Sequence, residues 1–292
     1  MIPYICADCP RSCGVLRGET GNGYCGMGAE PVIARAAPHY DEEPVISGTR
    51  GSGAVFFSGC ALRCRFCQNY PISHDRCGKR VSVERLMEIY GELIALGVHN
   101  INLVNPTHFA RAILESLEGG LPVPVVWNSG GYEEVDTLRA FDGKIQVYLP
   151  DLKYIREDSS RKYSSAGDYF RFAGPALKEM LRQTGPVELD DDGIIRRGTI
   201  VRHLILPGRA EESKAILDWI AENLPGAWVS LMAQYLPFGD VKGIDALNRR
   251  LTQEEYDDVV DHLLELGLED GFVQELSSSD EKYIPKFDLT GV

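Results

Sequence analysis

The chain has 292 residues, enough for one large core or a barrel with a small appendage. Its apolar content is that of an ordinary globular protein, and a formal net charge of −13 argues against nucleic acid or an anionic membrane as the main partner. No run approaches the ~18 uninterrupted apolar residues of a membrane span, and Met1–Pro10 lacks a basic stretch leading into an apolar one. A cytoplasmic setting is therefore expected, in which eight cysteines point to metal ligation rather than disulfides.

Residues 1–50 read as a Cys-rich segment with a linker, and residues 51–292 as the main domain. Cys6, Cys9, Cys13 and Cys25 form C-x2-C-x3-C-x11-C, with six glycines in or just beyond the span. Such a segment cannot build an apolar core, so a metal is the expected staple. Four thiolates would close a coordination sphere, and zinc, a second iron–sulfur cluster and a rubredoxin-like iron all satisfy the spacing. Four free thiols in a flexible tail is the alternative. Residues 31–52, with Pro31, Pro38, Pro44 and the acidic Asp41-Glu42-Glu43, read as a linker or cover.

Beyond residue 52 the pattern alternates regularly. Expected strands cover Ala54–Phe57, Asn100–Val104, Val123–Trp127, Ile145–Leu149, Thr199–Leu206 and Trp228–Met232. Between them, helices are expected from Ser82 as N-cap to Leu96, over Thr107–Leu117, Glu133–Phe141, a polar region from Arg156 to Gln183, and Glu211–Asn223; a last helix covers Thr252–Leu266, with a tail to Val292. A small hairpin is expected around Asp190–Gly193. Six mostly apolar strands separated by helices predict an α/β fold, a partial (β/α)6 TIM-like barrel with a parallel sheet and helices outside.

In such a barrel, function gathers where strands end. The first strand runs through Ser58-Gly59 into Cys60, Cys64 and Cys67, a C-x3-C-x2-C triplet. A fully ligated [4Fe–4S] cube takes four cysteines, so three leave one iron for a non-protein ligand. Zinc sites usually show two C-x2-C pairs or Cys and His at finger spacing. Later strand ends supply Asn105 and Thr107 as acceptors, or simply a turn in which Thr107 caps a helix. Asn128 and Ser129 come next. Asp151 and Lys153, two apart, would point the same way in an extended chain. Arg202-His203 interrupts an apolar run, and Gln234–Phe238 would form a rim. Cys77 is left over, read as a free or buried thiol.

The triplet with Phe66 before its last cysteine resembles the radical S-adenosylmethionine superfamily. Cys67-Gln68-Asn69, Asp151-Leu152-Lys153 and Arg202-His203 resemble more narrowly the glycyl-radical activase subgroup that includes pyruvate formate-lyase activating enzymes. The resemblance implies an oxidoreductase. Its [4Fe–4S] cluster on Cys60, Cys64 and Cys67 reductively cleaves S-adenosylmethionine to a 5′-deoxyadenosyl radical, which abstracts hydrogen from a substrate such as the glycine of a partner glycyl radical enzyme. It implies S-adenosylmethionine contacts from Asp151, Lys153 and His203, to which Asn105, Thr107 and Asn128 at the neighbouring strand ends are expected to add, and an electron donor such as flavodoxin or ferredoxin. The chain departs from the superfamily at Val104–Phe109, where a Gly-Gly-Glu motif is common. Modification of another peptide, protein or small molecule, and a non-catalytic iron–sulfur or zinc protein, are the alternative functions.

Overall fold

The computed structural model describes residues 3–278 and 285–292. Strands β1 (Tyr4–Ile5) and β2 (Leu16–Arg17) form a small antiparallel ladder of their own. The main sheet holds β3 (Val32–His39), β4 (Ser52–Phe57), β5 (Lys79–Arg80), β6 (Ile101–Val104), β7 (Val125–Ser129), β8 (Val147–Pro150), β9 (Glu188–Leu189), β10 (Ile195–Leu204), β11 (Trp228–Met232) and β12 (Gly271–Val273). The helices are α1 (Pro44–Ser47), α2 (Tyr70–Ser73), α3 (Val83–Ala95), α4 (Ala110–Ser116), α5 (Val135–Arg139), α6 (Glu157–Ser164), α7 (Tyr169–Thr184), α8 (Ala210–Asn223) and α9 (Gln253–Glu265).

Strands β4, β6, β7, β8, β10, β11 and β12 lie side by side in chain order, every pairing parallel. This is the sequential βαβ pattern of a partial barrel. The sheet does not close, because β3 runs antiparallel along the outer edge of β4 and β12 occupies the far edge.

Two features correct the sequence reading. Residues 31–52 are not a linker: they supply β3 and the short helix α1, whose Val45 and Ile46 pack against Val126, Leu149 and Ile200 inside the sheet. Alanines and a proline within Val32–His39 hid the strand. The parallel strands number seven among the described residues rather than six, since β12 arises from the stretch read as tail; residues 279–284 of that tail lie outside the described residues. Smaller shifts also occur. The second arm of the expected hairpin and the fifth strand are one continuous strand, β10. The third strand extends to Ser129, which carries Asn128 and Ser129 on the strand itself.

Strands β4, β6, β7 and β8 are buried along their whole length on both faces, as a parallel sheet requires. Val55, Phe57, Leu103, Trp127, Tyr148, Val201 and Leu231 face the helices. Ala54, Phe56 and Val104 face inward. Helix α3 shows what holds the outer layer. Ser82 caps it by accepting from the Arg85 amide, and Val83, Leu86, Ile89, Tyr90 and Leu93 are buried, whereas Met87 is exposed. Each full apolar burial contributes ~1.5–3 kcal/mol and a cap ~1 kcal/mol, so packing decides whether this helix stands.

Candidate functional site

An open cavity of 230 Å³ lies where the parallel strands end. Strand alternation sends Val104, Asn128, Arg202, Leu204 and Met232 into it. Cys60, Cys64 and Cys67 line the same cavity, as do Asn105, Asp151 and Lys153.

The cysteine loop leaves β4 through Gly59, whose φ of +83° suits glycine, while the Asn105 amide donates to the Gly59 carbonyl at 2.6 Å. The amides of Leu62 and Arg63 donate to Cys60 Sγ at 3.3 and 3.5 Å, Ser164 Oγ donates to Cys64 Sγ at 2.9 Å, and Tyr154 supports Ser164 at 2.7 Å. Burial, then the neighbouring Cys64, pushes the Cys60 thiol up to about 11 and the Cys67 thiol up to about 12. Thiolates so enclosed need a cationic partner. Among the described residues no three His, Cys, Asp or Glu side chains stand together as ligands of one ion. The donor set itself, three soft sulfurs on one loop with N–H and O–H groups aimed at two of them, fits an iron–sulfur group.

Beside the thiols lies a charged network. Asp151 accepts from Lys153 Nζ at 2.6 Å and from Arg202 Nε at 3.0 Å. Arg202 also donates to Glu42 at 3.1 Å and to Asn128 Oδ1 at 2.5 Å, and Glu42 Oε1 accepts from Asn102 and Asn128. Burial opposes ionisation of Asp151, but Arg202 and Lys153 outweigh it and hold the carboxyl below its ordinary value. Burial likewise opposes the Lys153 charge, and Asp151 and Cys64 outweigh it, so that ammonium is held above its ordinary value. Glu43, buried beside this pair, is pushed up, chiefly by burial. Tyr169 Oη ties the strand ends together: it accepts from the Lys153 amide at 3.0 Å and reaches the carbonyls of Gly130 and Asp151 at 2.9 and 2.8 Å.

Of the six residues expected to face S-adenosylmethionine, Asn105, Asn128, Asp151 and Lys153 line the cavity, and Thr107 and His203 do not. Thr107 opens a 3-10 turn and donates to Glu133 at 2.6 Å behind β7. Burial raises that carboxyl to about 7. His203 points the opposite way from Arg202, toward α8, with Nδ1 2.7 Å from the Leu152 carbonyl and Nε2 2.8 Å from Ser213 Oγ. Both ring nitrogens are occupied, so His203 positions the Asp151–Lys153 loop from outside. Sequence reasoning missed Glu42, dismissed with its acidic run, and it favoured His203 over Arg202. Gln234, expected at the rim, does line the cavity, and its carbonyl accepts from Gln68 at 3.0 Å.

Burial is the main force holding His203 down, to about 4 against an ordinary 6.5. A histidine depressed in the fold takes up its proton in the unfolded chain first, so stability is lost as pH falls from 6.5 toward 4. Between about pH 7 and about pH 5 this group alone is expected to remove roughly 2 kcal/mol. Urea denaturation of the wild type and His203→Gln at both pH values checks this; equal pH slopes would refute it.

The N-terminal unit packs behind the cysteine loop. Cys6, Cys9 and Cys25 are buried, Cys13 is half-buried, and none is in a disulfide. Cys77 is outside the cavity, against the inner cluster of Phe56 and Ile72. No helix among the described residues is long and apolar enough to cross a membrane.

No family model matches the chain. Among solved structures, Streptococcus suis SuiB bound to S-adenosylmethionine aligns with a TM-score of 0.51 at 12% identity, over 74% of this chain and 48% of that one. Methylornithine synthase (PylB) aligns with a TM-score of 0.48 at 18% identity, over 70% of this chain and 59% of that one. The chain thus spans about half the SuiB chain, and at such identity the likeness is one of fold: an α/β architecture resembling the radical S-adenosylmethionine partial barrel. In sequence, Uncharacterized protein MJ0674 of Methanocaldococcus jannaschii is 30% identical over 260 residues, 86% of this chain and 71% of that protein. The chain belongs to the family of that archaeal protein.

Proposed function

We propose that the chain is a radical S-adenosylmethionine enzyme. The observation that carries this reading is the meeting of Cys60, Cys64 and Cys67 with Asn105, Asn128, Asp151 and Lys153 around one cavity at the strand ends. The three thiols would hold a [4Fe–4S] cluster. Asp151 and Lys153 offer opposite charges to a zwitterionic ligand, and Asn105 and Asn128 offer amides. Bound cluster and S-adenosylmethionine supply one-electron cleavage of a sulfonium S–C bond and hydrogen-atom abstraction by the 5′-deoxyadenosyl group released. The chain's part is placement and enclosure. Arg202 and Glu42 fix Asp151 and Asn128, Tyr169 fixes the Lys153 backbone, and the inner apolar cluster keeps water from the floor.

Within this reading the hydrogen donor is a glycine of a partner glycyl radical enzyme, and the electron comes from a flavodoxin or ferredoxin; the support is the Asp151-Leu152-Lys153 and Cys67-Gln68-Asn69 resemblance. The test is anaerobic reconstitution, then addition of dithionite and S-adenosylmethionine. 5′-Deoxyadenosine is expected, and its absence from protein with a full cluster would overturn the enzyme reading. A glycyl radical signal in electron paramagnetic resonance on mixing with such a partner supports the finer assignment; 5′-deoxyadenosine without that signal refutes it for that partner.

A further inference from the structure

The cavity sulfurs accept hydrogen bonds from two kinds of donor. Cys60 Sγ accepts from the backbone amides of Leu62 and Arg63, which every side-chain variant retains. Cys64 Sγ accepts from a side chain, the Ser164 hydroxyl, at 2.9 Å. This second contact is sealed from water: Cys64, Ser164 and Tyr154 are 6%, 1% and 0% exposed.

The hydroxyl is aimed by its neighbour. Tyr154 Oη stands 2.7 Å from Ser164 Oγ. A serine hydroxyl and a phenol each carry one proton. One direction serves all three groups: Tyr154 donates to Ser164, and Ser164 donates to Cys64. In a site of low dielectric each link of such a chain polarises the next and strengthens it.

The place of the hydroxyl is fixed as well as its direction. Ser164 is the last residue of α6, where backbone carbonyls lack partners within the helix. Arg11 answers them: Nη2 donates to the Ser164 carbonyl at 3.0 Å and Nη1 to the Ser165 carbonyl at 2.7 Å. The same guanidinium donates through Nε to the Ala61 carbonyl, inside the cysteine loop, at 2.8 Å. The Arg65 amide, also in that loop, donates to the Tyr163 carbonyl at 2.8 Å. Along the chain these ties fall on both sides of Cys64 and on both sides of Ser164. The helix end and the loop are therefore held together around the sulfur–hydroxyl contact, by a planar fork whose geometry a lysine does not have.

We propose that Ser164 is a positioning residue that sets the reduction potential of the cluster on Cys60, Cys64 and Cys67, with Tyr154 orienting its hydroxyl and Arg11 clamping it to the loop. The inference rests on the proposed function. Reduction adds one electron, from dithionite or a protein donor, and neither makes nor breaks a bond. Part of the added negative charge falls on the sulfurs, so a donor on Cys64 stabilises the reduced form more than the oxidised one. Burial acts in the opposite sense, because it opposes added charge. Ser164 offsets burial at the most enclosed of the three thiols, and a weaker reductant then suffices.

The test uses the full chain, reconstituted anaerobically without S-adenosylmethionine. Iron and sulfide are measured first, and the midpoint potential is read by dithionite titration with paramagnetic resonance of the reduced form. Ser164→Ala should keep iron and sulfide and move the midpoint to more negative potential. The expected size is about a tenfold loss in the ratio of reduced to oxidised form at fixed potential, or ~59 mV for one electron. Ser164→Thr, which retains the hydroxyl, should keep the wild-type midpoint, and Tyr154→Phe should shift it the same way as Ser164→Ala but by less. A Ser164→Ala midpoint equal to wild type, or a Ser164→Thr midpoint displaced as far as that of Ser164→Ala, would overturn the inference. Should Ser164→Ala lose its iron, Tyr154→Phe decides, and an unmoved midpoint there overturns it. Wild-type protein that takes up no cluster defeats the proposed function itself; a full wild-type cluster whose midpoint ignores the hydroxyl defeats only this inference.

Discussion

Alanine at Cys64 is expected to reduce 5′-deoxyadenosine formation to background. Cys64 is the thiol that acts on both others: its charge contributes to the upward shifts of Cys60 and Cys67. It is also the most enclosed of the three, braced by Ser164 and through it by Tyr154. Two remaining thiols cannot hold a cube that normally takes four ligands and on the proposed reading would have three. Iron content should fall with the product. Cys77→Ala serves as the comparison, because Cys77 is not among the residues that line the cavity, and wild-type yield is expected from it. Product is read by chromatography after dithionite and S-adenosylmethionine. Wild-type yield from Cys64→Ala would show that the triplet is not the site.

Replacing Arg202 by methionine should destabilise the fold strongly. Arg202 is the one side chain bonded to Glu42, Asn128 and Asp151 together, and the side chains of Arg202, Glu42 and Asp151 are 15%, 10% and 13% exposed. Removing one member of a buried pair costs about 3–5 kcal/mol, mostly because the other charge stays buried without an answer. Lys153 still reaches Asp151, so the unanswered charge is Glu42. Glu42→Gln in the Arg202→Met background should therefore restore part of the loss, a coupling that a double-mutant cycle measures. Thermal melts should show a drop of roughly 5–15 °C for the single variant. A single variant that melts like wild type, or a double variant worse than the single, would break the network argument.

These two experiments fall on residues of different legibility. The cysteine loop was readable because spacing along the chain is itself the signal, and Cys60, Cys64 and Cys67 do share one cavity. Asp151 and Lys153 were readable because two residues apart on an extended stretch means one side. Arg202 and His203 were both visible as polar interruptions, yet the sequence could not say which turned inward. A strand buried on both faces has apolar neighbours at every position, so periodicity carries no phase; here Ile200 faces in and Val201 faces the helices, both fully buried. Glu42 was unreadable for another reason. Its partners are Asn102, Asn128 and Arg202, and nothing local to an acidic, proline-flanked stretch announces contacts so far along the chain. Strand positions were legible to within a few residues, except β3, where composition argued against a strand, and the two- and three-residue strands β1, β2, β5 and β12, too short to leave a pattern.

The bond between Glu42 and Arg202 spans 160 positions. Contacts of such separation are made only after much chain entropy has been surrendered, and they slow folding. A nascent chain that stops short of β10 already carries all three cavity cysteines, and Glu42 as well, but not the guanidinium that answers it. During synthesis the loop thiols therefore exist for an interval without their finished enclosure. On the proposed reading, that interval leaves them open to iron, and to oxygen as well.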